Sequence, residues 1–274
     1  MSKDQKRKRK RRLIRRNHRN KNACEMIEIS NLNKYYGTKR FHALKNINVK
    51  INTGEFVAII GSSGAGKSTF LRTINRLIDP EPGSRIVIDG KDITAMNRRE
   101  LIRVRRKIGF IFQQFNLVEK LSVLQNVLTG RIGFNPLHRT VFGFYTKNDL
   151  KIAIEFIREV GLIDKIYSRS DNLSGGQQQR VAIARAMAQE PSIILADEPM
   201  ASLDPKLSHV ILGLLKKFNR ERGITVIVNL HVLELATSYA DRILGLRMGE
   251  LVYDGTPSQL DPEKVEVVYS GKVE

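Results

Sequence analysis

The 274-residue sequence predicts an α/β fold around a buried parallel sheet, and three observations carry that prediction. Residues 56–60, 192–196 and 224–229 are short, largely apolar, β-rich runs separated by stretches of helical periodicity. Each run leads into polar chemistry: Gly61 after the first, Asp197 and Glu198 after the second, His231 just beyond the third. Open α/β sheets build their sites at the carboxyl ends of their strands, so these groups are expected to converge. A glycine-rich turn follows the first run, and after it Leu71, Ile74, Leu77 and Ile78 recur at helical spacing.

At the start of the chain, residues 1–21 hold twelve Lys or Arg and one Asp, which gives +11 of the formal net charge of +19 and leaves +8 for the other 253 residues. The uninterrupted cationic run 6–12 repels itself, so residues 1–24 are expected to be a basic disordered tail and residues 25–274 the folded domain. Such a tail attracts anionic surfaces of any kind, phospholipid head groups and nucleic acid included. No apolar segment of signal-peptide type follows it, and no stretch approaches the roughly eighteen residues that span a bilayer. Cys24 is the only cysteine, which excludes an internal disulfide and a multi-cysteine metal site and suits a reducing compartment.

Residues 26–60 alternate as Val49, Ile51 and Val57, Ile59 around the turn Asn52-Thr53-Gly54, which predicts antiparallel β structure beside the core. A helical subdomain is expected over about 115–175, from Val118, Leu121, Val123, Leu124 and Val127, then Ile152, Ile154, Ile157 and Val160. Residues 130–146 are aromatic and poorly periodic, and read as a loop or a short packed insertion. Residues 243–254 read as a hairpin around Met248-Gly249-Glu250. His18, His42, His138 and His209 carry no assigned role.

Gly61-Ser62-Ser63-Gly64-Ala65-Gly66-Lys67-Ser68-Thr69 satisfies G-x-x-x-x-G-K-[ST] between a strand and a helix. Gly64 and Gly66 allow consecutive backbone N–H groups to point at phosphate, and the helix that follows adds free donors and a positive dipole end. Lys67 supplies a mobile charge for the β- and γ-phosphates of ATP, and Ser68 a hydroxyl for Mg²⁺. Asp197 is placed to hold Mg²⁺, directly or through water, because a hard cation on phosphate takes oxygen ligands. Glu198 is then free to polarise a water for attack on the γ-phosphate. His231 could donate a hydrogen bond to the γ-phosphate or the water, and Gln113, after the apolar residues 108–112, could contact Mg²⁺ or water through its amide.

Leu173-Ser174-Gly175-Gly176-Gln177 forms a second phosphate-binding corner, with a hydroxyl and free N–H donors at a helix start. One phosphate loop has little use for two such corners on one nucleotide. A head-to-tail pair of chains solves this, each loop facing the partner's Ser174 corner, and two-fold symmetry closes two equivalent sites.

Taken together these residues resemble the nucleotide-binding subunit of ATP-binding cassette (ABC) transporters, over about residues 26–257. The resemblance implies a P-loop NTPase core with a small antiparallel β subdomain and an inserted α-helical subdomain. It assigns Gly61–Thr69 to the Walker A loop, Gln113 to the Q-loop, Leu173–Gln177 to the signature, residues 193–197 to Walker B, Glu198 to the catalytic glutamate, Ser202-Leu203-Asp204 to the D-loop and His231 to the switch histidine. It also implies that Tyr36 stacks on adenine and that Asp204 reaches across the dimer. Residues 65–78, 105–117, 173–186, 195–205 and 229–231 are similar to the ATPases of phosphonate importers, as is the placement of the insertion at 131–146. That subfamily implies a homodimer at the cytoplasmic face of the cell membrane, two transmembrane permease subunits and an extracytoplasmic solute-binding protein. A cassette coupled to lipoprotein release or membrane remodelling is the alternative. A nucleic-acid-associated cassette is disfavoured, because neither a second cassette nor a zinc or coiled-coil insertion is present.

Overall fold

The computed structural model describes residues 25–38, 41–136, 143–201 and 203–270. The expectations for the basic tail, Cys24, His18, His138, Ser202 and the part 137–142 of the insertion lie outside these residues.

Among the described residues two sheets form. The smaller contains β1 (Glu25–Tyr36), β2 (Phe41–Asn52), β4 (Arg85–Ile88) and β5 (Lys91–Asp92), antiparallel in the order β2-β1-β4-β5. The larger contains β3 (Phe56–Ile60), β6 (Ile108–Ile111), β7 (Ile193–Ala196), β8 (Thr225–Asn229), β9 (Arg242–Arg247) and β10 (Glu250–Gly255), in the order β10-β9-β3-β8-β7-β6. Its strands run parallel except for β10, which returns as a hairpin on β9. Every residue of β3, β6, β7 and β8 is buried, as a parallel sheet covered on both faces requires.

The period-two alternation of the strands divides the core. Val57, Ile59, Leu195 and Ile227 face the side shared with α1 (Lys67–Ile74) and the smaller sheet. Phe56, Ala58, Ile60, Ile194 and Val226 face α3 (Val123–Leu128), α4 (Lys147–Glu159), α5 (Gly175–Met187) and α6 (Pro205–Arg222). Three further helices complete the described set: α2 (Arg98–Arg105), α7 (Leu233–Tyr239) and α8 (Pro262–Tyr269). No described helix is long and apolar enough to cross a membrane.

The antiparallel β structure expected beside the core is present as the smaller sheet, and the structure refines three details. The Asn52-Thr53-Gly54 turn does not join paired strands: β2 pairs with β1, while β3 has β8 and β9 on its two edges, so no edge is left for β2. The turn instead passes the chain between sheets and is pinned to the larger one, Gly54 N–H donating to Thr225 Oγ1 at 2.9 Å and Asn219 Nδ2 to the Gly54 carbonyl at 2.8 Å. The helix anticipated from Val118 starts only at Val123, after a capping box of Ser122 and Gln125. Upstream, the buried Asn126 side chain accepts from Val118 N–H and donates to the Val118 and Leu121 carbonyls, holding that segment as a loop. The insertion is packed at its start, where residues 129–134 make a 3₁₀ turn. A Cβ on Gly130 would lie 2.3 Å from the Arg185 carbonyl oxygen, so only glycine fits there.

The hairpin expected at 243–254 is present as β9 and β10, with Met248 at φ 49° and Gly249 at φ 84° in the two-residue turn.

Candidate nucleotide site

β3 delivers the chain to Gly61, whose φ of 146° and tight approach admit no side chain: a Cβ would sit 2.1 Å from the Leu246 carbonyl oxygen. The loop closes at Gly66, the left-handed N-cap of α1 (φ 99°), where a Cβ would lie 2.6 Å from the Ala43 carbonyl oxygen. β2 and the β9–β10 turn brace this loop from behind. Gly249 N–H donates to Ala65 O at 3.1 Å, and Lys45 N–H donates to Gly249 O at 2.8 Å.

Lys67 is buried, and its ammonium donates to the carbonyls of Gly61 and Ser62, both at 2.9 Å. Burial lowers its pKa, against the opposing attraction of Glu198 and Asp197. Its cation therefore waits inside the loop on weak neutral acceptors, ready for a stronger anionic one. Ser62 takes part through its carbonyl, Ser63 and Gly64 are exposed, and the Thr69 carbonyl accepts from Thr73 Oγ1 within α1.

Four elements meet on Asp197, which follows β7 and has no exposed surface. Ser68 Oγ, from α1, donates to Oδ1 at 2.7 Å, and Asn229 Nδ2, at the end of β8, donates to the same oxygen at 2.8 Å. Arg72, one turn after Ser68 on α1, donates to Oδ2 through Nε at 3.2 Å and forms an ion pair with it, its Nη2 lying 3.0 Å from the same oxygen. The Asp197 N–H itself donates to Ile111 O of β6 at 2.9 Å. Arg72 and Asn229 escaped the sequence reading. The available signals were the spacing of Ser68 and Arg72 on one helix face and the position of Asn229 as the last residue of a buried strand.

Glu198 takes the opposite course to its neighbour. It has φ 47°, a left-handed conformation uncommon for a non-glycine residue, and this turns its carboxylate to His231. His231 Nε2 lies 2.6 Å from Glu198 Oε1, with the Glu198 side chain 15% exposed and that of His231 46%. Gln113, Glu198, Asn229 and His231 line one cavity of about 640 Å³, walled by Met200 and Leu203.

The remaining predicted residues stand apart from that cluster. Ser174 caps α5 and exchanges hydrogen bonds with Gln177, Ser174 N–H donating to Gln177 Oε1 at 3.0 Å and Gln177 N–H to Ser174 Oγ at 3.4 Å. Gly175 and Gly176 pack near Leu203 and Leu207, and a Cβ on Gly176 would meet Leu207 Cδ1 at 2.7 Å. The Asp204 side chain caps α6 through Leu207 N–H at 2.9 Å and so has a role inside its own chain. Tyr36 ends β1, is 39% exposed, and has the Lys34 ammonium 5.9 Å from its ring centre.

The donor set fits a magnesium nucleotide. Asn229 Oδ1 is buried beside Asp197 without a protein partner, a position suited to a water of a hydrated cation. The oxygens of Ser68, Asp197 and Gln113 are hard donors. Among the described residues there is no cluster of three or more His, Cys, Asp or Glu, and a cation held largely by phosphate oxygens needs none.

Known proteins are similar to this chain in sequence and in fold. The family model described as ABC transporter matches residues 44–201. The phosphonates import ATP-binding protein PhnC of Lactobacillus johnsonii is 51% identical over 246 residues, covering 90% of this chain and 96% of that protein. Its counterpart in Bacillus anthracis is 52% identical over 251 residues, 91% and 96% of the two chains. The solved dimeric ATP-binding cassette MJ0796, in a post-hydrolysis state with ADP and Pi, superposes with a TM-score of 0.73 at 39% identity, over 85% of this chain and 99% of that one. A nucleotide-free cassette of an ABC transporter gives 0.78 at 28% identity, over 91% and 100%. With the phosphate loop, the acidic strand end and these relatives in agreement, the chain belongs to the ABC transporter family, as an ATPase.

Proposed function

We propose that this ATPase drives import of phosphonate, or a closely related solute, as the nucleotide-binding subunit of a membrane complex. The observation that carries the reading is the joining of Ser68 to Asp197 at 2.7 Å beside the Glu198–His231 pair at 2.6 Å, in a chain half identical to phosphonate-import ATPases.

In the proposed mechanism Tyr36 stacks on the adenine and the N–H groups of residues 61–69 surround the phosphates of ATP. Lys67 exchanges its two carbonyl acceptors for the β- and γ-phosphates. Ser68, Asp197 and Gln113 would hold Mg²⁺, which would supply positive charge against the phosphates. Glu198 orients the attacking water and takes its proton, and His231 holds the Glu198 carboxylate in place and faces the γ-phosphate. Ser174, Gly175, Gly176 and Gln177 complete the site in a second copy of the chain, with Asp204 at the shared interface.

The partners in this reading are a second identical subunit, two permease subunits that span the membrane and an extracytoplasmic solute-binding protein. The chain then sits peripherally on the cytoplasmic face, where the basic tail is suited to anionic lipid. Detergent extraction of the intact complex tests the assignment. Two membrane-spanning subunits are expected to co-purify, and the reconstituted complex is expected to raise its ATP hydrolysis when its solute-binding protein is loaded with phosphonate. Extraction without membrane subunits, or a rate indifferent to phosphonate, would remove the importer reading.

A further inference from the structure

Three side chains crowd the carboxylate of Asp197. Two oxygens offer about four acceptor positions: Ser68 and Asn229 fill both on Oδ1, and Arg72 fills one on Oδ2 through Nε, with its Nη2 3.0 Å from the same oxygen, so the guanidinium stands beside the one position left. Mg²⁺, or a water of its shell, needs one of these positions.

The three donors differ in their freedom to leave. Ser68 need not move, because a hydroxyl oxygen can face a cation while its proton stays on Asp197. Asn229 is fully buried at the end of a central strand, on a short side chain with little room to swing away. Arg72 is 42% exposed along its side chain and carries its charge on a long flexible stem that water can rehydrate. Charge points the same way. Without a metal, Arg72 is the cation in direct contact with a wholly buried carboxylate, and the Lys67 ammonium also acts on it from inside the phosphate loop. Once a dication arrives, a guanidinium on the same oxygen is repelled by it.

We propose that Arg72 is a displaceable counter-cation of Asp197, holding the carboxylate in the metal-free state and competing with Mg²⁺ for it. This rests on the placement of Asp197 in the metal site. Arg72 is thus a positioning residue that sets how much metal the site requires, and it touches neither substrate nor metal.

The test uses the full chain with ADP and Mn²⁺, a paramagnetic substitute for Mg²⁺ whose binding is read directly by electron paramagnetic resonance, together with thermal unfolding in EDTA. Arg72→Met keeps the stem and removes the charge, and Arg72→Gln retains one N–H donor toward Oδ2 should the first variant fail to fold. Either neutral variant is expected to bind Mn²⁺ roughly fivefold more tightly, to unfold earlier in EDTA, and to gain more from added Mn²⁺. Arg72→Lys should fall between these variants and the parent. Unchanged or weaker Mn²⁺ binding in a folded neutral variant overturns the proposal. Asp197→Asn separates the two layers: its loss of Mn²⁺ binding supports the site that Arg72 is said to guard, and parental Mn²⁺ affinity in that variant overturns the site and the proposal with it.

Discussion

Asp197 and Glu198 are adjacent carboxylates with opposite environments. Asp197 is fully buried under contacts from three side chains, whereas Glu198 turns through a left-handed conformation to reach His231 and the cavity. The crowded, ion-paired Asp197 carboxylate is held as a charge and is poorly placed to take a proton from water. Glu198 has one oxygen on His231 and the other available. Replacing Glu198 by Gln preserves shape and removes the ability to take a proton. We expect ATP hydrolysis to fall at least about 100-fold, ATP binding to persist, and a nucleotide-bound dimer to accumulate. Phosphate release, equilibrium nucleotide binding and gel filtration check these outcomes together, and turnover at the parental rate would exclude Glu198 as the base.

Among the elements, the insertion after α3 is held by the buried Arg131, which pairs with Asp149 and with the more exposed Glu190. Arg131 Nε lies 2.8 Å from Asp149 Oδ1, and Arg131 Nη1 donates to Ala188 O at 2.9 Å, at the end of α5. Asp149 Oδ2 accepts from Asn135 Nδ2 at 3.1 Å and Thr146 Oγ1 at 2.7 Å, so one carboxylate ties both ends of the insertion to α4. Burial alone would raise the Asp149 pKa, but the hydrogen bonds from Arg131, Thr146 and Asn135 outweigh it and bring it to about 2. A folded pKa below the ordinary 3.8 means that the charged form stabilises the fold above about pH 4, and that this contribution is lost as pH falls through about 2. Asp149→Asn leaves the buried Arg131 with only the more exposed Glu190 carboxylate, 3.1 Å from Nη1, as its anion, and is expected to cost about 2 kcal/mol at pH 7. The difference from the parent should narrow steadily below pH 4. Urea unfolding at several pH values measures it, and a gap independent of pH would show that the Asp149 charge is not the source.

At the scale of the whole molecule, the phosphate loop and the Ser174 corner are parts of one site only if two chains meet. Ser174 and Gln177 hydrogen-bond to each other, and Ser174 and Gly175 are exposed. The solved cassette MJ0796 is dimeric. A mixture of Lys67→Ala and Ser174→Arg chains therefore has a defined expectation. Each variant alone is inactive, and the mixed dimer regains one intact site, so roughly one site in four works after random pairing. Recovered ATP hydrolysis on mixing is the expected result. A mixture as inactive as its components would place the Ser174 corner and the phosphate loop in separate sites.

The motifs were legible in the sequence because their chemistry is local. A strand, a glycine turn and a helix start lie in consecutive residues at Gly61–Thr69, and the same holds for the capped helix at Ser174 and the acidic pair after β7. Short-range dihedral preferences and hydrogen bonds account for each without reference to the rest of the chain. Which strands become neighbours is a long-range matter. The alternation around Asn52-Thr53-Gly54 is compatible with a hairpin, and it is the competing edges of β8 and β9 that place β3 in the other sheet. The order β3-β8-β7 brings Asn229 and His231 to Asp197 and Glu198 across the strand ends, and the packing of α1 brings Arg72 to the same carboxylate. Sequence spacing carries no distance between such segments; the burial of both faces of one sheet sets it.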